Sequence, residues 1–326
     1  MSTRRLAAIV TAILALEILA QVFASQIPPP LEFDNYEQQR QVERIVAARG
    51  ECTDVVLAGT SLMGAAGDPA LLRETTSRTA RNVALGGGGP LIMPSWFDEV
   101  VMPNLCPRTV VIGLGPRDAN DSFSEQEGTV DRYLNSRGRR HLVGEEGPMQ
   151  RLDRWLSRNV GFFKLRSAYR RPSTALAYAL AGRGNWRQNS GEDGSLTAFD
   201  DVRYRPDPDR EREIAEGSMR DFASGGRNLD AVELLIEELH DRGVRVVLID
   251  MPRVPGAVER IIGEAKLERY EAHMAELATR QDVTLLQADD VIVDSALFAD
   301  EYHVNRQGAD LFTQWLAEQL QDSSDR

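Results

Sequence analysis

Ser61 sits just past a short apolar run, in the stretch Asp54-Val-Val-Leu-Ala-Gly-Thr-Ser61. Asp300 and His303 lie three residues apart near the other end of the chain, in Asp300-Glu-Tyr-His303. A serine hydroxyl is a weak nucleophile until a base removes its proton and a third group orients that base. Histidine and aspartate supply those two roles, so the set has the makings of acyl transfer through Ser61, His303 and Asp300. Read alone, Ser61 is more simply the cap of the next helix, and it is the far end of the chain that shifts the balance.

Several elements must position these residues. Val55, Val56, Leu57 and Ala58 form a continuous apolar run, the pattern of a parallel strand covered on both faces. Gly59 then permits a tight turn, which puts Ser61 at the carboxyl edge of an open sheet, where such folds bind ligands. Strands are expected at Asp54–Ala58, Ala80–Leu85, Thr109–Leu114, Arg245–Asp250 and Val283–Leu286. Helices are expected at Glu37–Ala48, Pro69–Glu74, Ile92–Val101 and Glu259–Gln281. One more starts at Asn228 as N-cap, with Leu229, Val232, Leu235, Ile236 and Leu239 on one face, and ends at Gly243. A final helix carries Leu311, Phe312, Trp315, Leu316 and Leu320. Strands alternating with helices predict a three-layer α/β fold with a mainly parallel, five-stranded sheet.

With these blocks in place, the sequence resembles the SGNH/GDSL hydrolase family. The nucleophile block looks like Gly59-Thr60-Ser61, the second like Asn82 to Gly88, the third like Gly115-Pro116-Arg117-Asp118, and the last like Asp300-Glu301-Tyr302-His303. The likeness covers residues 51–120 and about 228–322, in family order. It implies a flavodoxin-like sheet, a Ser61–His303–Asp300 triad and an oxyanion hole. The hole would be built from the Ser61 N–H, the Gly87 N–H and an asparagine side chain of the third block. Arg117 stands where that asparagine is expected, and Asn120 is a possible substitute. Thr60 replaces the usual first-block aspartate. The implied sheet makes the first and third strands neighbours. Cys52 and Cys106, each three residues before a strand position (Val55 and Thr109), then lie at one level within bridging reach. Two small buried hydrophobes are the other reading of these cysteines.

The 326 residues suffice for one large domain with an insertion, and 42% apolar content supports a real core. A net charge of −12 argues against a nucleic-acid partner. Arg4 and Arg5 precede Leu6–Ala24, an almost wholly apolar run interrupted by Glu17 and Gln21. As a helix it spans roughly 28 Å, near the hydrocarbon thickness. Its length favours an uncleaved anchor over a signal cut after Ala24, and Pro28-Pro29-Pro30 follows as a stiff spacer. The organisation expected is an anchor over 1–26, a linker and polar helix over 27–50, an SGNH-like domain over 51–322 interrupted by an insertion at 121–227, and a tail at 323–326.

Within the insertion, Arg137–Arg171 holds nine Arg and one Lys against three acids, interleaved with Trp155, Phe162, Phe163 and Tyr169. It suits either an anionic membrane or glycan surface, or a helix pair whose Arg stems pack on aromatics. The segment Glu192–Glu216 reads as largely loop. No cofactor motif is present: Gly86 to Gly89 lacks the Gly-Lys-Ser/Thr ending of a phosphate loop. His141, His240 and His273 lack ligand-like neighbours, so no metal is expected.

Two functions fit. One is a membrane-anchored, extracytoplasmic serine esterase or O-acyltransferase acting on an acylated carbohydrate or cell-envelope polymer. The other is a catalytically silent SGNH-like scaffold or glycan-binding protein of an envelope assembly, with another envelope protein as partner. Either way the arginine pair stays cytoplasmic and residues from about 31 onward are exported. Protease added to intact spheroplasts is therefore expected to digest the domain; full protection would refute this topology.

Overall fold

The structure is a computed structural model describing residues 5, 11–20, 36–86, 88–122, 148–149, 152, 155–156, 160, 194–195, 197 and 199–322. The chain divides into two compact units, Met1–Tyr36 with Arg139–Arg187, and Glu37–Gly138 with Gln188–Arg326. In the first unit, residues 11–20 are helical. Among the described residues no helix is long and apolar enough to cross a membrane. Of the expected anchor, residues 6–10 and 21–24 lie outside the described residues, as do Phe162, Phe163 and Tyr169 of the basic aromatic stretch. Trp155 is exposed.

The second unit carries a five-stranded parallel sheet. Its strands are β1 Val55–Gly59, β2 Ala80–Asn82, β3 Thr109–Leu114, β4 Arg245–Asp250 and β5 Thr284–Gln287. They lie in the order β2-β1-β3-β4-β5. This is the flavodoxin-like order, and its topological switch point lies between β1 and β3. Both of those strands are buried along their whole length, as their unbroken apolar runs require, whereas β5 at the edge is partly exposed. The second strand is regular only over Ala80–Asn82, although Val83 N–H and Leu85 N–H still donate to Leu57 O and Gly59 O of β1 at 2.8 and 3.0 Å.

The helices are α1 Tyr36–Ala47, α2 Ser61–Ala66, α3 Pro69–Thr76, α4 Met93–Trp96, α5 Met102–Leu105, α6 Pro208–Glu216, α7 Arg227–His240, α8 Ala257–Ile262, α9 Glu264–Arg280 and α10 Arg306–Asp322. Three depart from the sequence reading for local reasons. The single helix expected at Ile92–Val101 is α4, a π-helical turn Phe97–Val101 and α5 in succession. Pro103 lacks the N–H of an α-helical bond and its ring crowds the carbonyl four residues back, so the register widens there. The helix expected over Glu259–Gln281 is two, because Gly263 turns at φ 87°, a conformation that ends α8 and starts α9 afresh. Finally, Asn228 is not the cap of α7. The Asp121 carboxylate accepts from the N–H groups of Gly226 and Asn228, at 2.8 and 2.9 Å, and Asn228 turns its own amide to Asn120 O.

Cys52 and Cys106 are joined as a disulfide, with Cα atoms 4.9 Å apart. Val55 pairs with Thr109 in the β1–β3 ladder, so each cysteine enters its strand at the same level. The cross-link closes a loop of 54 residues. On chain entropy alone it stabilises the fold by about 4 kcal/mol. Urea unfolding of the Cys52→Ala/Cys106→Ala variant is expected to show a loss approaching that figure, and reductant is expected to destabilise the wild type but not the variant.

Candidate active site

The site forms where β1, β3 and the loop before α10 meet. At the end of β1 the backbone of Gly59 adopts φ 149°, and a Cβ there would lie 2.5 Å from Gly113 O of β3. Only glycine fits so close a crossing. Thr60 then caps α2, its hydroxyl accepting from Leu62 N–H at 3.3 Å. The capping duty that a serine at this turn can perform thus belongs to Thr60, and Ser61 is the first residue of the helix. Asn82 ties α2 to β2, donating to Met63 O and Gly67 O at 3.0 and 2.8 Å.

Ser61 Oγ lies 2.8 Å from His303 Nε2. Nδ1 of the same ring is 2.9 Å from each carboxylate oxygen of Asp300. An ionised carboxylate only accepts, so Nδ1 carries the proton and donates, leaving Nε2 to accept from the serine hydroxyl. Asp300 is itself fixed by its own loop: Oδ1 accepts from the backbone N–H groups of Tyr302 and His303 at 2.9 and 2.8 Å. Burial works to raise the Asp300 carboxyl, but the His303 hydrogen bond and charge, with those N–H groups, hold it down at about 2. A short antiparallel bridge between Phe298 and Val304 closes the loop. Asn305 then caps α10 by accepting from the N–H groups of Gln307 and Gly308.

A second carboxylate lies on the opposite side of the serine turn. Asp118, buried in the loop after β3, accepts from the Thr60 hydroxyl at 3.1 Å and from Gly115 N–H at 2.9 Å. Burial pushes its carboxyl up to about 6 despite those donors and the nearby Arg117 and His303 charges. Thr60 thus meets an acid contributed by another loop, a pairing that its sequence position did not reveal.

The residues expected to form the oxyanion hole fare unevenly. The Ser61 N–H lies at the α2 start. Gly87 lies outside the described residues. Arg117 is half-buried, within electrostatic reach of Asp118 and Tyr302. Asn120 does not fit the substitute role: its amide donates to Ser218 O and accepts from Ser122 N–H and Ala223 N–H, so it pins the 218–223 loop.

Two further contacts come from the segment expected to be loop. Phe199 stacks on His303, with ring centroids 4.1 Å apart and planes 9° from parallel. Arg210 of α6 donates to Glu301 at 3.1 Å and pairs with Asp300 at 3.6 Å. The α6 start was legible in Asp207-Pro208, where Asp207 accepts from the N–H groups of Asp209 and Arg210. Phe199 had no periodic pattern around it to mark it.

Asp250, Glu271 and Asp289 form a separate acidic group whose spacing would suit a metal ion. Arg253 makes an ion pair with each of them, so a guanidinium already supplies positive charge among these carboxylates. Of the other histidines, His273 bonds Ser224 Oγ at 3.0 Å, and His141 lies outside the described residues.

No protein-family profile and no curated protein sequence matches the chain. Solved structures do. The chain is similar to GDSL-type acylhydrolases. A GDSL-like lipase from Bacteroides thetaiotaomicron aligns at 11% identity over 88% of this chain and 98% of its own, with a TM-score of 0.44. A lipase/acylhydrolase from Enterococcus faecalis aligns at 10% identity over 83% and 96%, with a TM-score of 0.40. A carbohydrate acetylesterase from Sinorhizobium meliloti aligns at 11% identity over 82% and 99%, with a TM-score of 0.38.

Asp118 gives the site a measurable signature. Its folded-state pKa is raised above 3.8, so the native protein binds its proton more tightly than the unfolded chain does. The associated stability is fully present below about pH 4 and is lost as pH rises through about 6. Asp118→Asn is expected to remove up to about 3 kcal/mol of that pH dependence. Thermal melts of both proteins from pH 4 to 7 will show it as a difference in slope; equal slopes would contradict the shift.

Proposed function

We propose that this chain is an SGNH/GDSL-type serine ester hydrolase or O-acyltransferase. The reading rests chiefly on one observation: Ser61 Oγ, His303 Nε2, His303 Nδ1 and Asp300 are joined in an unbroken hydrogen-bonded relay. In this reading Ser61 Oγ bonds to the ester carbonyl carbon while its proton passes to His303 Nε2. Asp300 holds the tautomer and offsets the imidazolium charge. The oxyanion would take its donors from the Ser61 N–H and, as the family resemblance implies, from the Gly87 N–H and Arg117; each such donor is worth on the order of 3 kcal/mol. Collapse breaks the bond to the alcohol, which leaves with the proton from Nε2. Water, or an acceptor hydroxyl, then attacks the acyl-serine by the same steps in reverse.

The substrate class proposed is an acylated carbohydrate or cell-envelope polymer, met outside the cytoplasm by a domain tethered through residues 6–24. The support is the Arg-flanked apolar N-terminus and the cysteine pair, which suits an oxidising compartment. A second reading, a silent scaffold or glycan-binding protein with an envelope-assembly partner, draws on the arginine at position 117 where the family places an asparagine.

Turnover of p-nitrophenyl acetate separates the two. Ser61→Ala and His303→Ala are each expected to lower kcat by at least about a thousandfold, and the double variant is expected to be little worse, because the triad acts as a unit. Asp300→Asn is expected to cost less than either. Wild-type turnover that survives Ser61→Ala would refute the nucleophile, and no turnover at all would favour the scaffold.

A further inference from the structure

The segment returning from the insertion lays an aromatic ring flat on the proposed base. Phe199 and His303 are stacked, with centroids 4.1 Å apart and planes within 9° of parallel. His303 is 93% buried, leaving its ring little water to solvate a charge, and its two ring nitrogens face Asp300 and Ser61. A neutral imidazole stacked on a benzene ring gains dispersion and apolar burial. An imidazolium there gains more, because the ring's negative face attracts a cation. The difference appears only once the Ser61 proton has reached Nε2, which is when acyl transfer needs it.

We infer that Phe199 is a positioning residue for His303, holding the imidazole plane and preferentially stabilising its protonated form. The inference rests on the esterase reading for its catalytic consequence, but not for its physical one. Several charged groups act on the same ring and its partner. Asp300 comes from the ring's own loop and Asp118 from the loop after β3; Arg210 of α6 bears on Asp300, and Glu301 on Arg210. Arg117 bears on Asp118 and on Tyr302 beside the ring. All of these groups keep their identity in a Phe199 variant, and comparing Leu, Tyr and Trp at that one position separates the aromatic face from them.

Leu and Trp at position 199 give opposite expectations. Phe199→Leu keeps an apolar side chain but removes the π-face; Phe199→Trp strengthens it. The protonation midpoint of the His303 ring is read by NMR of histidine-labelled full-length chain. The background is Ser61→Ala, and His303→Gln assigns the signal among the four histidines. Leu is expected to move the midpoint down by about half a pH unit, roughly threefold in proton affinity, and Trp to move it up or leave it as in wild type. With Ser61 present, Leu is expected to lower kcat for p-nitrophenyl acetate about three- to tenfold with KM little changed, and Phe199→Tyr to restore it.

A midpoint that rises in the Leu variant would mean that Phe199 only shields the ring from water, and would overturn the inference. An unmoved midpoint, or a Trp variant that shifts downward, would also overturn it. If the wild type shows no turnover while the Leu shift is present, the esterase reading fails and the stacking stands.

Discussion

β1 and β3 pair in parallel from Val55–Thr109 to Gly59–Gly113, and at the last of those pairs there is no space for a side chain on β1. That ladder sets three things at once. At its amino end it holds Cys52 and Cys106 at one level. At its carboxyl end it delivers Thr60 and Ser61 beside the loop that carries Asp118. Between them it creates the switch point, where neighbouring crossovers leave the sheet in opposite directions and open a crevice. Ser61 stands in that crevice because β1 ends there. His303, 242 positions away in sequence, reaches it because the loop before α10 packs over the same end of the sheet.

Two carboxylates share this crevice under opposite electrostatic conditions. Asp300 is buried but saturated with donors, two of them from its own backbone, and is held ionised down to about pH 2. Asp118 is buried with a hydroxyl and one N–H, and it pushes up to about 6. In the proposed mechanism the group that stabilises the imidazolium is thus the one held firmly anionic, and the group whose charge is less supported serves the serine turn through Thr60. Environments that drive paired acids apart in this way assign their roles. The Thr60 hydroxyl caps α2 and at the same time reaches Asp118, so the serine turn stays anchored to the loop after β3.

Much of this was legible in the sequence. Fully buried central strands write themselves as unbroken apolar runs, so β1, β3 and β4 lie within a residue of their expected bounds. Blocks that carry both chemistry and a following helix cap, such as Asp300 to Asn305, are similarly explicit. What stayed hidden depends on partners distant in the chain. Nothing local marks Asp121 as the group that caps α7, or Asn120 as the pin of the 218–223 loop, because both act through bonds spanning about a hundred positions. Phe199 is hidden for a different reason. A single aromatic in an aperiodic stretch carries no pattern, and its meaning comes entirely from the ring it lies against.

The stretch from Phe199 to α6 shows that the proposed triad loop is not held by its own contacts alone. Tyr204 N–H donates to Phe298 O at 2.7 Å, Arg306 N–H reaches Asp200 O at 3.4 Å, and Arg210 bonds the side chain of Glu301. The Glu301 side chain is 1% exposed, and a carboxylate so far from water is tolerable only with a cation in contact. Arg210, itself half exposed, therefore matters more to Glu301 than a surface ion pair would. Removing it strands a buried charge one residue from Asp300. The order of the Asp300–His303 loop and the order of residues 199–216 are consequently coupled: each side gives one backbone donor and one backbone acceptor to the other, and the guanidinium of Arg210 meets the buried acid Glu301.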